Sequence, residues 1–141
     1  MTTASFTDGW YADAVSAYEA WAEAASNVPN GGLRFRYVKT CDARGDDIVI
    51  RFVSAASVPG FQGYTREYGD WALVSVVVEA EPGERARHAY VRRVIMHELG
   101  HALGIWGHSP NPGDVMSEDP SPARVSIADV NTLRLAYRAA E

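Results

Sequence analysis

Apolar positions recur at intervals of three and four in three stretches of this 141-residue chain, and in three others they alternate or run on continuously. Trp10, Ala14, Ala17, Tyr18, Trp21 and Ala25 form one stripe through an alanine-rich segment, which predicts a helix that Asp8 can cap. Pro29-Asn30-Gly31-Gly32 then ends it with a turn. Leu33-Arg34-Phe35-Arg36-Tyr37 alternates apolar and basic residues and reads as a strand with one buried face. Beyond a polar turn at 42–47, residues 48–53 read as a second strand, apolar on nearly both faces. Residues 59–70, rich in glycine and aromatics (Phe61, Tyr64, Tyr68), read as an irregular loop with room for one short edge strand. The strongest β run is 71–78, where Val74, Val76, Val77 and Val78 are all branched at Cβ.

Pro82-Gly83 breaks that run and opens a second helix over about 84–103, with Tyr90, Val91, Val94, Ile95, Leu99, Ala102 and Leu103 as its inner face. Gly104 is placed to end it as the glycine after the last turn. Residues 105–124 hold four prolines and read as loop. Ser126 to Asp129 has the form of a helix cap, and Ile127, Val130, Leu133, Ala136 and Tyr137 make the apolar face of a final helix. This order predicts an α+β fold. Without a linker or a repeat, residues 1–141 read as a single domain, with an upper part to about residue 104 and a lower part from about 105.

Composition narrows the function classes. At 141 residues and 47% hydrophobic, the chain can bury one core unaided. A net charge of −5 with a pI near 5.3 argues against a nucleic-acid partner, which needs a basic footprint. No apolar run approaches the roughly 20 residues of a membrane span. The single cysteine, Cys41, excludes an intramolecular disulfide, leaves the compartment open, and reads as a small buried side chain. The start MTTASFTDGW has neither the basic nor the apolar region of a signal peptide, so the chain is cytosolic or its targeting segment lies outside this sequence.

Three of the four histidines fall within residues 97–108, His-Glu-Leu-Gly-His-Ala-Leu-Gly-Ile-Trp-Gly-His. On a helix, His97 and His101 lie about 40° apart and about 6 Å along the axis, so both rings can reach one metal ion. Glu98 occupies the next face round, close enough to hold a metal-bound water without ligating the metal. Zinc on neutral nitrogen ligands with one open position lowers the pKa of its water, and a neighbouring carboxylate takes the proton. Past the turn at Gly104, His108 is the candidate third ligand, and Met116 follows eight residues later in a proline-rich loop. If His108 is not a ligand, Asp114 or Glu118 is the alternative third donor.

This segment resembles the metzincin metallopeptidases, and among them the matrixin-like group. The likeness rests on the His-Glu-x-x-His-x-x-Gly core at 97–104, on Gly107-His108-Ser109, and on Met116 at the spacing of the family's Met-turn. Weaker likeness extends to the first helix and strand, to 47–52 and to 126–137, so it covers most of the chain and is specific only over 97–116. The family has two residues between its glycine and its third histidine, whereas Ile105, Trp106 and Gly107 make three here. Trp106 is therefore read as a one-residue loop insertion. Neither a thiol-bearing propeptide nor a histidine set for a structural zinc is present; His88 is the only other histidine and reads as a surface residue.

The resemblance implies a metzincin-like catalytic domain: a twisted mixed β-sheet with an N-terminal helix and an active-site helix, then a small C-terminal subdomain with the Met-turn and final helix. It implies a compact, bacterial-type, secreted, monomeric zinc endopeptidase with one catalytic Zn2+ on His97, His101 and His108. Glu98 would be the general base, with Gly104 and Met116 as structural support. An extended peptide or protein substrate would pair with the edge strand near 63–70, and the pocket for the residue after the cut would lie between the second helix and 116–124, lined by Val94, His97 and Val115. No tyrosine closely follows Met116, so a tyrosine aid to the oxyanion is not expected. Calcium is unsupported, because Asp42, Asp46 and Asp47 lack spaced loop ligands and read as turn residues. Arg85, Arg87, Arg92 and Arg93 read as the solvated side of the second helix. Two other classes stay open. A non-catalytic zinc-binding module has no use for Glu98, and a metal-dependent endoribonuclease would want a basic groove.

Overall fold

The computed structural model describes residues 10–26, 47–54, 62–69, 71–78, 85–119 and 124–139. Asp8, the turn at 29–32, the strand expected at 33–37, Cys41, Asp42 and Asp46 lie outside them. In chain order the elements are α1 (Tyr11–Ala24), β1 (Ile48–Val53), β2 (Gly63–Tyr68), β3 (Trp71–Val77), α2 (Arg85–Ala102) and α3 (Ile127–Ala139). Among the described residues this is a small α+β fold of three helices and one three-stranded mixed sheet, and no helix is long and apolar enough to cross a membrane.

The sheet order is β1-β3-β2, with β3 parallel to β1 and antiparallel to β2. Central β3 is buried continuously from Ala72 to Val76, as a strand flanked on both sides should be. Register sorts the faces: Phe52, Val74 and Val76 enter the core shared with α2, while Arg51, Ser75 and Tyr64 form a row across the other face. On that row the Arg51 guanidinium donates to Ser75 Oγ and to Tyr64 Oη, both at 2.9 Å. β1 is thus less apolar than its composition suggests. β2 is the edge strand for which residues 59–70 were read to have room, and it runs a full six residues. Its antiparallel pairing to β3 supplies the order that its mostly polar sequence, GYTREY, does not advertise.

α2 packs against α1, β2 and β3. Val91, Ile95, Met96 and Leu99 are its buried apolar residues, and Trp21 of α1 donates its indole N–H to the Met96 carbonyl at 2.8 Å. Gly100 makes room here: a Cβ would stand 2.1 Å from Met116 Sδ and 3.0 Å from Trp21 Cζ2, so the buried Met116 side chain would have to move. One missing side chain thereby lets α1, α2 and the Met116 loop close on one another.

Three expectations about burial are corrected. His88 is half-buried: its Nδ1 lies 2.5 Å from Asp13 Oδ2, and its ring packs against Trp10 at 4.8 Å. Arg92, one turn further along α2, completes an ion pair with Asp13 at 3.4 Å and is not merely solvated. The physical reason is Asp13 itself, a buried carboxylate on α1 that needs charged donors from the helix packed against it. Ile127, assigned to the inner face of α3, is 82% exposed, whereas Val130 and Leu133 are buried as expected. Ile127 sits in the first turn, where the cap and not the apolar stripe sets the chain's path.

Candidate metal centre

The last turns of α2 carry His97, Glu98 and His101, and the helix stops at Gly104, whose φ of 115° is open to glycine and strained for other residues. The chain then turns back through Ile105 and brings His108 to the other two. Their ligand atoms all lie within 4.8 Å of one another, and the ring centroids are 4.7, 5.1 and 5.2 Å apart. Three residues between Gly104 and His108 do not keep the third histidine from the other two. Trp106 is nearly half exposed and lies almost parallel to the His101 ring, at 12° and 5.9 Å. Asp114 is not the alternative ligand: its carboxylate is buried and accepts from Ser109 Oγ at 2.5 Å and Ser126 Oγ at 2.7 Å. Glu118 is 82% exposed and faces His108 Nδ1 at 3.5 Å, which makes it a partner of that ring.

Hydrogen bonds define the tautomers. His97 Nδ1 donates to the Val115 carbonyl at 2.8 Å, and His101 Nδ1 donates to the Ile105 carbonyl at 2.7 Å. A carbonyl only accepts, so each neutral ring keeps its proton on Nδ1 and presents a bare lone pair at Nε2. Those two Nε2 atoms face each other at 3.1 Å. Two lone pairs at that distance repel unless a cation lies between them. Tetrahedral zinc with bonds of about 2.0–2.1 Å would set its nitrogens about 3.4 Å apart, close to this arrangement. The three histidines therefore form a group able to hold a metal ion. Burial pushes His101 below the ordinary imidazole value; the Ile105 carbonyl and Glu98 oppose this, and His97 and His108 reinforce it. The result favours the neutral form that a metal requires.

Glu98 is buried beside this cluster, and Thr65 of β2 places its hydroxyl 2.7 Å from Glu98 Oε2 and 2.9 Å from the Glu98 carbonyl. Sequence reasoning passed over Thr65, because a threonine in a strand carries no signal of its own. Asp129 was seen only as part of a cap, and it does more. With Ser126 it forms a reciprocal capping box, the Asp129 N–H reaching Ser126 Oγ at 3.0 Å and the Ser126 N–H reaching Asp129 Oδ2 at 2.8 Å. The same carboxylate also accepts the N–H groups of Val115 at 2.8 Å and Met116 at 3.2 Å. Val115 is fully buried, so it supports His97 through its carbonyl and cannot line an open pocket with its side chain. Met116 is buried under α2 against Gly100, and its carbonyl accepts the Ser109 N–H at 2.8 Å, holding the strand of loop that follows His108.

Comparison of the chain with protein-family models, with curated proteins and with solved structures found no match.

Proposed function

We propose that this chain is a zinc-dependent endopeptidase of the metzincin type, matrixin-like in its metal-binding segment. The observation that carries the reading is the convergence of two Nδ1-bonded histidine rings and His108 beside a buried, hydrogen-bonded glutamate. The donor set fits Zn2+: three neutral nitrogens satisfy it and leave one position for chemistry. Zinc, when bound, polarises the scissile carbonyl and lowers the pKa of the attacking water. Glu98 takes the proton of that water and passes it to the leaving amine; its place on the helix face next to the histidines suits this role. Val115 and Ile105 orient His97 and His101 through their carbonyls, and Met116 supports the loop from below. An extended peptide, bound in line with β2 at the edge of the described sheet, is the substrate that the strand's position favours. The catalytic machinery lies in one chain, which accords with action as a monomer.

The test is zinc stoichiometry together with cleavage of casein and of quenched peptides. Wild type should hold one zinc and cut in a chelator-sensitive way. Glu98→Gln should retain the metal and lose about 10²–10⁴-fold in kcat. His108→Ala should weaken zinc binding. A protein that binds zinc tightly and cuts no peptide would instead be a metal-binding module, and one that binds no zinc ends the proposal.

A further inference from the structure

The edge strand does more at this site than lie beside it. Along β2, residues alternate between faces, so Gly63 and Thr65 turn towards α2 while Tyr64 turns to Arg51 on the other side. At Gly63 a Cβ would stand 2.7 Å from Val94 Cγ1 and 3.1 Å from Glu98 Cγ. The absence of that side chain presses the β2 backbone onto the methylene stem of Glu98. Two residues on, the Thr65 hydroxyl lies between two acceptors of that same glutamate, Oε2 at 2.7 Å and the carbonyl at 2.9 Å. From this geometry we infer that Thr65 is the positioning residue of the general base, an inference that rests on the peptidase reading above.

The hydroxyl has one proton for two acceptors. With Glu98 ionised, the charge-assisted bond to Oε2 is the stronger and takes it, which holds one carboxylate oxygen and leaves Oε1 for the attacking water. The carbonyl, 2.9 Å away, anchors the same hydroxyl to the helix backbone, so the donor is held over one carboxylate oxygen and not the other. A purely structural threonine would need only the carbonyl.

Thr65→Val keeps the shape and the β-branch while deleting the proton, so the strand should still form. In zinc-loaded protein we expect kcat to fall about 10- to 100-fold with KM within about twofold and metal content unchanged, and Thr65→Ser to restore most of the loss. A readout free of turnover is the Glu98 carboxylate band in infrared spectra of 13C-glutamate-labelled protein, identified by its disappearance in Glu98→Gln. Thr65→Val should shift that band and Thr65→Ser should leave it in place. A band that does not move in Thr65→Val overturns the inference, whether or not the protein cuts peptides. A fall in kcat that serine does not restore also overturns it, because it assigns Thr65 to packing. Failure of the wild type to cut any peptide sinks the peptidase reading, and the catalytic role of Thr65 with it.

Discussion

The upper and lower parts of this molecule are held by different forces. From α1 through α2, the fold is built on apolar burial: Trp10, Trp21, Phe52, Val74, Val76, Ile95 and Leu99 share one core, and periodicity along the chain reports it. The segment from Ile105 to α3 has only a few core residues and is organised by two buried carboxylates. Asp114 ties Ser109 to Ser126, and Asp129 gathers the backbone N–H groups of Val115, Met116 and Ser126. Both regions reach the metal centre, the first by supplying His97 and His101 on a rigid helix and the second by orienting them and adding His108. Packing tolerates small errors of position, whereas a hydrogen bond to a ring nitrogen fixes a tautomer and a direction. The contrast predicts that damage to the apolar core above should cost stability alone, while damage to the carboxylate network below should cost stability and metal affinity together.

The largest effect should come from Phe52→Ala, a nearly fully buried ring on β1, a strand that carries none of the histidines. Unfolding in urea should show a loss of about 3–5 kcal/mol, with zinc affinity of the folded protein nearly unchanged. A parallel collapse of zinc affinity in that variant would erase the distinction between the two regions. Next is Asp129→Ala, which leaves three backbone donors without their acceptor. We expect a loss of about 3 kcal/mol. Because Val115 is released, zinc affinity should also weaken about 10- to 100-fold by competition with a chelating dye. Normal zinc binding in a destabilised Asp129→Ala protein would reduce the lower part to one more packed unit.

The smallest effect is one of pH. Burial lowers His101 below its ordinary value of 6.5, so as pH falls through that value the unfolded chain takes the proton first. The contribution of His101 to the metal-free protein is thus fully favourable above the unfolded value. It is lost as pH drops from about 6.5 towards the folded value, and levels off below it. Urea midpoints measured with a chelator present, at several pH values across this range, should fall less steeply in His101→Gln than in wild type. Equal slopes would mean that His101 does not carry the effect.

Much of the frame was legible. Trp10 to Ala25, the valine run of β3 and the inner face of α2 follow from spacing, because an amphipathic element must turn its apolar side to the core wherever that core lies. The misses share another cause. β2 was read only as room for one short edge strand, and its single glycine is there so that the strand can lie on Glu98. His88 and Arg92 look like surface residues on a helix wheel, and only Asp13, arriving from α1, draws them inward. An aspartate on the inner side of the first turn of an alanine-rich helix was the available clue.

The metal-binding half-site needed no tertiary structure. Four residues along a helix bring His97 and His101 together through local backbone geometry, and Glu98 comes with them. Beyond the Ile105 carbonyl on His101, what makes those groups usable was decided by residues distant in the chain. The Val115 carbonyl sets the His97 tautomer, Met116 and Trp21 close on Gly100, and the Thr65 hydroxyl meets Glu98 from another element. The partners of the His97 and His101 rings, and those of Asp129 in the Met116 loop, are backbone carbonyls and N–H groups. Nearly every residue carries both, so no residue type marks the ones that will be used, and only the folded path of the chain selects them.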